Sequence, residues 1–362
     1  MLRGKTVAVV VPAFNEATQL EQVIQGMPAF VDRIVVVNDC SDDQTEEVVK
    51  SQMGKLEGAP IPGAESVSDE IYRKADRIRA QLDKEENQWF VPAEVVWTEA
   101  TEKIVLINLK RNGGVGAAIA RGYKWAKDNR IDCTAVMAGD GQMDPSELEK
   151  ICMPVVNEEV DYVKGNRLSH KSAPILIPKK RLLGNAILTI LTKLASGYWS
   201  VSDTQTGYTA ISLKALEAIK LYDIYPRYGM PNDMLVKLNI ASCTIKEVDI
   251  RPVYGIGEKS KLKISKVILP IAGLLVRSFF RRLWSKYLFR DFHPLFILYH
   301  FAFLLLILSI PYGIKMLSLA LQGIDVNPLT ALAFMFLFIS GFQSLLFAMW
   351  MDMQHNDRLY RS

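Results

Sequence analysis

The stretch CTAVMAGDGQMDP, residues 133–145, is an apolar run that ends abruptly in a group of polar side chains. Residues 133–137 have the short apolar composition of a buried strand. Asp140 and Gln142 follow at once, and Pro145 prevents the strand from continuing. The sequence therefore predicts a buried strand whose end places carboxylate and amide oxygens in one small volume.

Strand and helix patterns alternate along the first 255 or so residues. Residues 6–14, 33–38 and 104–109 are short runs rich in β-branched side chains, whereas residues 17–27 and 116–129 have helical spacing. Strands that alternate with helices predict an α/β fold with a mostly parallel, Rossmann-like sheet covered on both faces. In such sheets, ligands bind beyond the carboxyl ends of the strands.

Three polar clusters follow predicted strands: PAFNEA at 12–17, NDCSDD at 38–43 and GDGQMD at 139–144. Because the carboxyl ends of parallel strands meet at one edge of a sheet, we expect these clusters to converge on a single site. Residues 51–103 interrupt the alternation, and we interpret them as a surface insertion in a domain spanning residues 1–255.

The last part of the chain is far more apolar than the rest. Residues 294–314 and 329–351 contain no Lys, Arg, Asp or Glu, and about 20 apolar residues suffice to span a bilayer. They predict a transmembrane hairpin within residues 292–362; a pair of buried core helices is the alternative. Nine basic residues between 259 and 290, with Arg358 and Arg361, flank the hairpin. The positive-inside rule then predicts a cytoplasmic α/β domain.

Residues 256–291 join the domain to the predicted hairpin. Within residues 265–290, apolar and aromatic side chains recur at helical spacing, and four basic side chains fall on roughly the other side: Arg277, Arg281, Arg282 and Lys286. This pattern is typical of a helix that lies in the lipid headgroup region; an amphipathic helix packed on the domain is the alternative. Because residues 259–290 hold nine basic residues and no acid, while the rest of the chain is net negative, the charge distribution argues against a uniformly basic nucleic-acid-binding protein.

Six motifs, in chain order, resemble those of family-2 glycosyltransferases with the GT-A fold: VVVPAFNEA, VVVNDCSDD, NLKRNGGVGAAIARGYKWA, AGDGQMDP, YVKGNRL and TQTGY. The closer resemblance is to the branch that transfers a sugar from a nucleotide to a membrane polyprenyl phosphate, which includes dolichyl-phosphate mannose synthase. It covers roughly residues 5–262 apart from the insertion.

The resemblance implies a nucleotide-sugar site at the strand ends, with these donor-binding positions: Pro12, Phe14, Glu16, Val37, Asp39, Gly139, Asp140 and Gln142. Asp140 and Gln142 match the metal-binding element, and on extended backbone their side chains would point the same way. A Mg²⁺ or Mn²⁺ ion there would neutralise the diphosphate leaving group. Many relatives have an additional acid where this chain has Ala138. The glycines of residues 112–117 suggest a backbone approach to a phosphate at a helix N-terminus.

The resemblance also implies an acceptor-phosphate site. Arg167 matches an arginine that faces the phosphates, and together with Asp140 it is the predicted catalytic pair. Arg181 resembles a second phosphate-binding arginine, Lys261 matches the lysine of a loop that closes over the site, and Arg251 lies about one residue from the arginine preceding that loop. A polyprenyl phosphate is already anionic, so the enzyme must supply position and charge compensation rather than a strong base.

The sequence thus predicts a membrane-anchored, metal-dependent, inverting glycosyltransferase that uses a UDP- or GDP-sugar and a polyprenyl phosphate. A processive polysaccharide synthase is one alternative, although the chain lacks the Q-x-x-R-W element of such enzymes. An inactive, membrane-tethered nucleotide-binding scaffold is another, with Ala138 as its sign. The identity of the sugar and the formation of a homo-oligomer stay open.

Overall fold

The computed structural model describes residues 1–56, 85–97, 102–170, 179–251 and 264–362, with single positions 58, 78, 81, 82 and 253. For residues 179–183 and 264–268 it describes the backbone but not the side chains. The described residues form an α/β domain, followed by three long helices and a short C-terminal tail.

Within the described residues, the domain is built on an eight-stranded sheet in the order β3-β4-β2-β1-β5-β7-β6-β8. The strands are β1 (Val7–Ala13), β2 (Arg33–Asn38), β3 (Ala93–Val96), β4 (Ile104–Leu109), β5 (Cys133–Val136), β6 (Tyr162–Asn166), β7 (Thr209–Ser212) and β8 (Ile245–Asp249). β3 and β7 run antiparallel to their neighbours, and the other pairings are parallel. The predicted mostly parallel sheet is confirmed, and β1, β2, β4, β5, β6 and β8 all end at one edge.

Helices cover both faces of the sheet, as the prediction of a two-sided fold requires. They are α1 (Leu20–Gln25), α2 (Thr45–Gln52), α3 (Val115–Asp128), α4 (Leu148–Val156), α5 (Lys179–Ser196), α6 (Leu213–Ala218) and α7 (Met230–Ile240). Successive strand residues enter opposite cores: Val35 packs with the core that includes α3, and Val36 with the one that includes α4. Strands buried on both faces are continuous hydrophobic runs, which explains the lack of alternation in β1 and β2.

Helices α9 (Pro294–Leu321) and α10 (Pro328–Asp357) form the C-terminal hairpin. The most apolar windows of the two helices have mean hydropathies of 2.1 and 2.0, and only 22% and 11% of those windows are buried. A soluble core helix would bury such a surface, so the buried-core alternative is wrong. The length, composition and exposure of both helices support attachment of the chain to a membrane.

Helix α8 (Ile264–Trp284) packs on α5 and α7 of the domain. Its buried face carries apolar side chains at helical spacing: Ile271, Leu275, Phe279 and Leu283. Arg282 and Lys286 are also buried, so their predicted place on an exposed polar side is wrong. Val276, Phe280 and Trp284 remain exposed. The helix therefore docks on the domain, as in the alternative above, and still presents apolar side chains outward.

The burial of Arg282 is explained by an acid contributed by α10. Its guanidinium donates to both carboxylate oxygens of Asp352, at 2.7 and 2.8 Å, and to the carbonyl oxygens of Leu194 and Ala195 in α5. Burial alone would lower the pKa of Arg282, but the adjacent Asp352 carboxylate raises it above its ordinary value. The ion pair thus joins the hairpin to the domain.

The C-terminal tail forms a second connection between the hairpin and the domain. The backbone N–H of Ile245 in β8 donates to Leu359 at 2.8 Å, and the N–H of Arg361 donates back to Ile245 at 2.8 Å. The tail therefore forms an isolated β-bridge with the first residue of β8, the edge strand of the sheet. Both connections hold the C-terminal end of the hairpin against the domain.

Candidate functional site

A cleft of ≈ 370 Å³ opens at the carboxyl edge of the sheet. Six of the predicted donor-site residues line it: Pro12, Phe14, Glu16, Asp39, Gly139 and Asp140. They lie at or just beyond the ends of β1, β2 and β5, which are neighbours in the sheet, so the expected convergence of the three polar clusters is observed. Ala138 also lines the cleft.

Asp39 is buried in the cleft wall and firmly held. Its two carboxylate oxygens accept hydrogen bonds from the backbone N–H groups of Gly113 and Gly114, at 2.7 and 2.8 Å. Burial raises the pKa of Asp39, and the two amide hydrogen bonds partly oppose that shift. Val37, two residues earlier, points its side chain into the core, so only its backbone is available for the predicted contact with a base.

Asp140 lies in a turn rather than on the extended backbone that the alternation argument assumed, so that expectation is wrong. One carboxylate oxygen of Asp140 accepts from the backbone N–H of Gln142 at 3.0 Å, and Gly141 adopts a φ of 72°. Asp140 lines the cleft, whereas Gln142 is not among the lining residues. Asp144 caps the next turn by accepting from the N–H of Ser146 at 2.9 Å.

The glycine-rich loop before α3 serves the fold rather than a phosphate. Gly113 and Gly114 donate to Asp39, and the N–H groups of Gly116 and Ala117 donate to the carbonyl oxygen of Pro226 at 2.8 and 3.2 Å. A Cβ on Gly114 would lie 2.6 Å from that same oxygen. The predicted phosphate contact is wrong for these amides, because the chain itself occupies them.

Arg227 and Tyr228 also line the cleft, and they were not predicted from the sequence. Both are exposed, in a segment that crosses in front of the α3 N-terminus. The sequence did contain a signal, the run YPRYGMPND at 225–233, in which an arginine and two tyrosines stand among proline and glycine just before a helix. Exposed aromatic and basic residues in a loop often bind ligands.

Arg167 follows β6 at the same edge of the sheet, and a buried acid fixes its orientation. Its Nε and Nη2 donate to the two oxygens of Asp203 at 2.8 and 3.1 Å. The Arg167 side chain is 25% exposed, whereas that of Asp203 is 1% exposed. Burial would raise the pKa of Asp203, but the hydrogen bonds and charge of Arg167 hold it below its ordinary value. Asp203 was not predicted from the sequence, although it immediately precedes the TQTGY motif.

Arg167 is not among the residues that line the cleft. Its strand, β6, is separated from β5 by one strand, so it stands about 10 Å along the sheet edge from β5. Arg251 follows β8 at this edge, is exposed, and has its Nε 3.8 Å from a carboxylate oxygen of Glu147. The Arg181 side chain and Lys261 lie outside what the structure describes, so the acceptor set stays a prediction.

Comparison with known proteins identifies the family. The profile of glycosyl transferase family 2 matches residues 8–59 and 93–220, omitting residues inside the predicted insertion. The chain therefore belongs to glycosyl transferase family 2, and it is a glycosyltransferase with the GT-A architecture expected from its motifs.

Two curated archaeal proteins are similar over most of their length. One is a UDP-N-acetylglucosamine–dolichyl-phosphate N-acetylglucosaminyltransferase of Methanococcus voltae, 25% identical over 70% of this chain and 88% of that protein. The other is an uncharacterized protein of Methanocaldococcus jannaschii, 25% identical over 68% of this chain and 81% of that protein. Among solved structures, glucosyl-3-phosphoglycerate synthase of Mycobacterium tuberculosis superposes with a TM-score of 0.46 at 17% identity, covering 78% of this chain and 82% of the other.

Proposed function

We propose that this glycosyltransferase transfers one sugar from a UDP- or GDP-linked donor to a polyprenyl phosphate, by a metal-dependent, inverting reaction. The main observation behind the proposal is that a single domain has an acid-lined cleft at the edge of its sheet and is joined to an apolar helical hairpin long enough to span a membrane. The resemblance to the polyprenyl-phosphate branch and the name of the Methanococcus voltae relative support the choice of acceptor. That name also makes UDP-N-acetylglucosamine the first donor to test.

The charges that line the cleft support a role for a divalent cation. Glu16, Asp39 and Asp140 contribute carboxylates, against the single guanidinium of Arg227 among the lining residues. A diphosphate would be repelled by this wall unless a cation came with it. Asp140 would hold Mg²⁺ or Mn²⁺, with Gln142 as the predicted second ligand. Such an ion shares its coordination shell with substrate phosphates and neutralises the leaving group.

The donor base would lie against the first two strands, near Phe14 and Asp39. A carboxylate accepts hydrogen bonds from the N–H groups of a uracil or guanine edge. Because both oxygens of Asp39 already accept one backbone amide each, that edge would use their remaining lone pairs. The amides keep the carboxylate pre-positioned, which reduces the entropy lost on binding.

On the acceptor side, the phosphate oxygen would form its bond to the anomeric carbon as the bond to the nucleotide diphosphate breaks on the opposite face, which inverts the configuration. Arg167, fixed by Asp203, would compensate the charge of the acceptor phosphate. The basic segment before the hairpin and the two arginines after it favour a cytoplasmic domain that draws the lipid phosphate from the cytoplasmic leaflet.

The test uses the full chain with undecaprenyl phosphate and labelled UDP-N-acetylglucosamine, UDP-glucose or GDP-mannose. A labelled chloroform-soluble product supports the proposal, a labelled polymer indicates a processive synthase, and nucleotide binding without product indicates an inactive scaffold. Asp140→Asn should lower kcat by at least about a hundredfold without unfolding the chain. Asp144→Asn is the matched control, because its side chain caps a turn outside the cleft. Near-normal turnover of Asp140→Asn would refute the metal assignment.

A further inference from the structure

Residues 221–229, which we name the wall segment, stand between the cleft and helix α8. On one side, Arg227 and Tyr228 line the cleft. On the other side, Tyr222 and Tyr225 line a second cavity, whose opposite wall is formed by α8. The position of the wall segment therefore sets the width of the cleft, and contacts on both sides decide that position.

Towards the sheet, the wall segment rests on the N-terminus of α3. The Pro226 carbonyl accepts from the N–H groups of Gly116 and Ala117, and Gly114 leaves no room for a side chain beneath it. These contacts stop the segment from moving inward. They do little to stop it from moving away from the cleft, since the two hydrogen bonds to the Pro226 carbonyl can be exchanged for hydrogen bonds to water.

Towards α8, charged groups hold the segment. The fully buried Asp233 accepts from the backbone N–H of Tyr225 at 2.9 Å and from Nζ of Lys237 at 2.6 Å. Its other oxygen accepts from Nη2 of Arg281 at 3.0 Å, and Nη1 of Arg281 donates to Asp223 at 3.0 Å. Arg281 thus joins α8 to both the segment and the acid that supports it. Gly229 packs so closely that a Cβ there would lie 2.7 Å from Leu274 of α8.

Helix α8 is in turn fixed on the membrane side. The residue after Arg281 is Arg282, which pairs with Asp352 of the hairpin, and the outward face of α8 presents Phe280 and Trp284. A continuous series of contacts therefore runs from the hairpin through α8 to the wall of the cleft. A structural connection of this kind can couple two sites if both bias its position.

We infer that Arg281 is a positioning residue that holds the wall segment against the bound nucleotide-sugar. The affinity for the donor then depends on how α8 packs against the domain. The inference rests on the proposed function, because it takes the cleft to be the donor site. It gives the membrane-side helix a role in donor binding in addition to its place beside the bilayer.

The experiment measures KM for the nucleotide-sugar, KM for undecaprenyl phosphate and kcat on the full chain in lipid nanodiscs, with binding of UDP and GDP followed by calorimetry. Arg281→Ala should raise KM for the donor and weaken nucleotide binding by roughly tenfold, while kcat and the acceptor KM change less than about twofold. Arg281→Lys, which keeps one charged contact, should raise the donor KM less than Arg281→Ala does. Asp223→Asn changes the more exposed partner of Arg281 and should also raise the donor KM by a smaller factor.

Arg277→Ala is the matched control: it removes a basic side chain one turn earlier on α8 that lines the same second cavity, and no hydrogen bond or ion pair joins Arg277 to another residue that the structure describes. The inference would be overturned if Arg281→Ala lowered kcat and both substrate affinities by the same factor. It would also be overturned if Arg277→Ala raised the donor KM as much as Arg281→Ala does. If Arg281→Ala does not fold, an unchanged donor KM in Asp223→Asn overturns it instead. A wild-type chain that binds neither UDP nor GDP would refute the proposed function itself, and the inference with it.

Discussion

Replacing Asp352 by asparagine tests whether the hairpin is part of the folded core. The Asp352 carboxylate accepts from Nη1 and Nη2 of Arg282, from the Tyr287 hydroxyl at 2.8 Å and from Nδ2 of Asn356 at 2.8 Å. Nε1 of Trp199 donates to it from the domain at 3.3 Å. Asp352→Asn removes the negative charge and leaves the buried Arg282 guanidinium without its counter-ion.

The size of the effect follows from the burial of both partners, whose side chains are 0% exposed. Removing one member of a buried ion pair costs about 3–5 kcal/mol, because the remaining charge is neither paired nor hydrated. For a domain of this size, that loss lowers the melting temperature by roughly 10 °C. A surface ion pair would contribute about 0–1 kcal/mol and would barely change it.

The assay is thermal unfolding of the full chain in detergent, followed by tryptophan fluorescence. Asp357→Asn serves as the matched control, since Asp357 lies on the same helix and is exposed. Replacing the pair by Arg282→Met with Asp352→Leu should give a higher melting temperature than Asp352→Asn alone, because no unpaired charge remains. If Asp352→Asn melted within about 2 °C of the Asp357→Asn control, the pair would not hold the hairpin to the domain, and the reasoning would be refuted.

Two further substitutions test the acceptor side and the cleft wall. Arg167→Ala should raise KM for the lipid phosphate more than KM for the nucleotide-sugar. Asp203→Asn should do the same to a smaller degree, because Arg167 keeps its charge but loses the carboxylate that fixes its orientation. Steady-state kinetics with each substrate varied would measure both effects, and an unchanged KM for the lipid phosphate would count against the assignment. Gly114→Ala should destabilise the chain by about 2 kcal/mol, since its φ of 88° is strained for alanine and a Cβ would meet the Pro226 carbonyl. Thermal unfolding checks this, with Gly184→Ala as a control where a Cβ meets nothing within 4 Å.

The sheet and the location of the cleft were predictable because they depend on local patterns. Short β-branched runs define the strands, and polar residues directly after β1, β2 and β5 converge once the strands are parallel. The turn at Asp140 was harder to predict from the sequence. Gly141, with its positive φ, and the hydrogen bond from the N–H of Gln142 redirect the backbone, whereas the alternation argument holds only for extended chain.

The partners of buried charges could not be read from the sequence. Arg282 was assigned to an exposed face because helical periodicity sorts residues by their own polarity and gives no information on their partners. The partner of Arg282 is Asp352, which lies 70 residues later at the end of an apolar run. The same limit applies to the glycines before α3. Their positions indicate that something approaches the backbone closely, but whether it is a phosphate or Pro226 depends on where the later chain folds.

The charged junction between hairpin and domain has a geometric consequence that an apolar junction would not have. A buried ion pair is seldom more stabilising than hydrophobic packing of the same volume, so stability alone does not explain Arg282 and Asp352. The bidentate hydrogen bonding between them, however, can form only in a narrow range of orientations of α10 relative to α8. An apolar contact would allow the two helices to slide. The tail also pairs with the first residue of β8, so two contacts fix the domain relative to the C-terminal end of the hairpin. If the acceptor is the lipid phosphate that we propose, it cannot leave the headgroup region without exposing its chain, and a domain fixed relative to the hairpin would present its site at a set height to meet it.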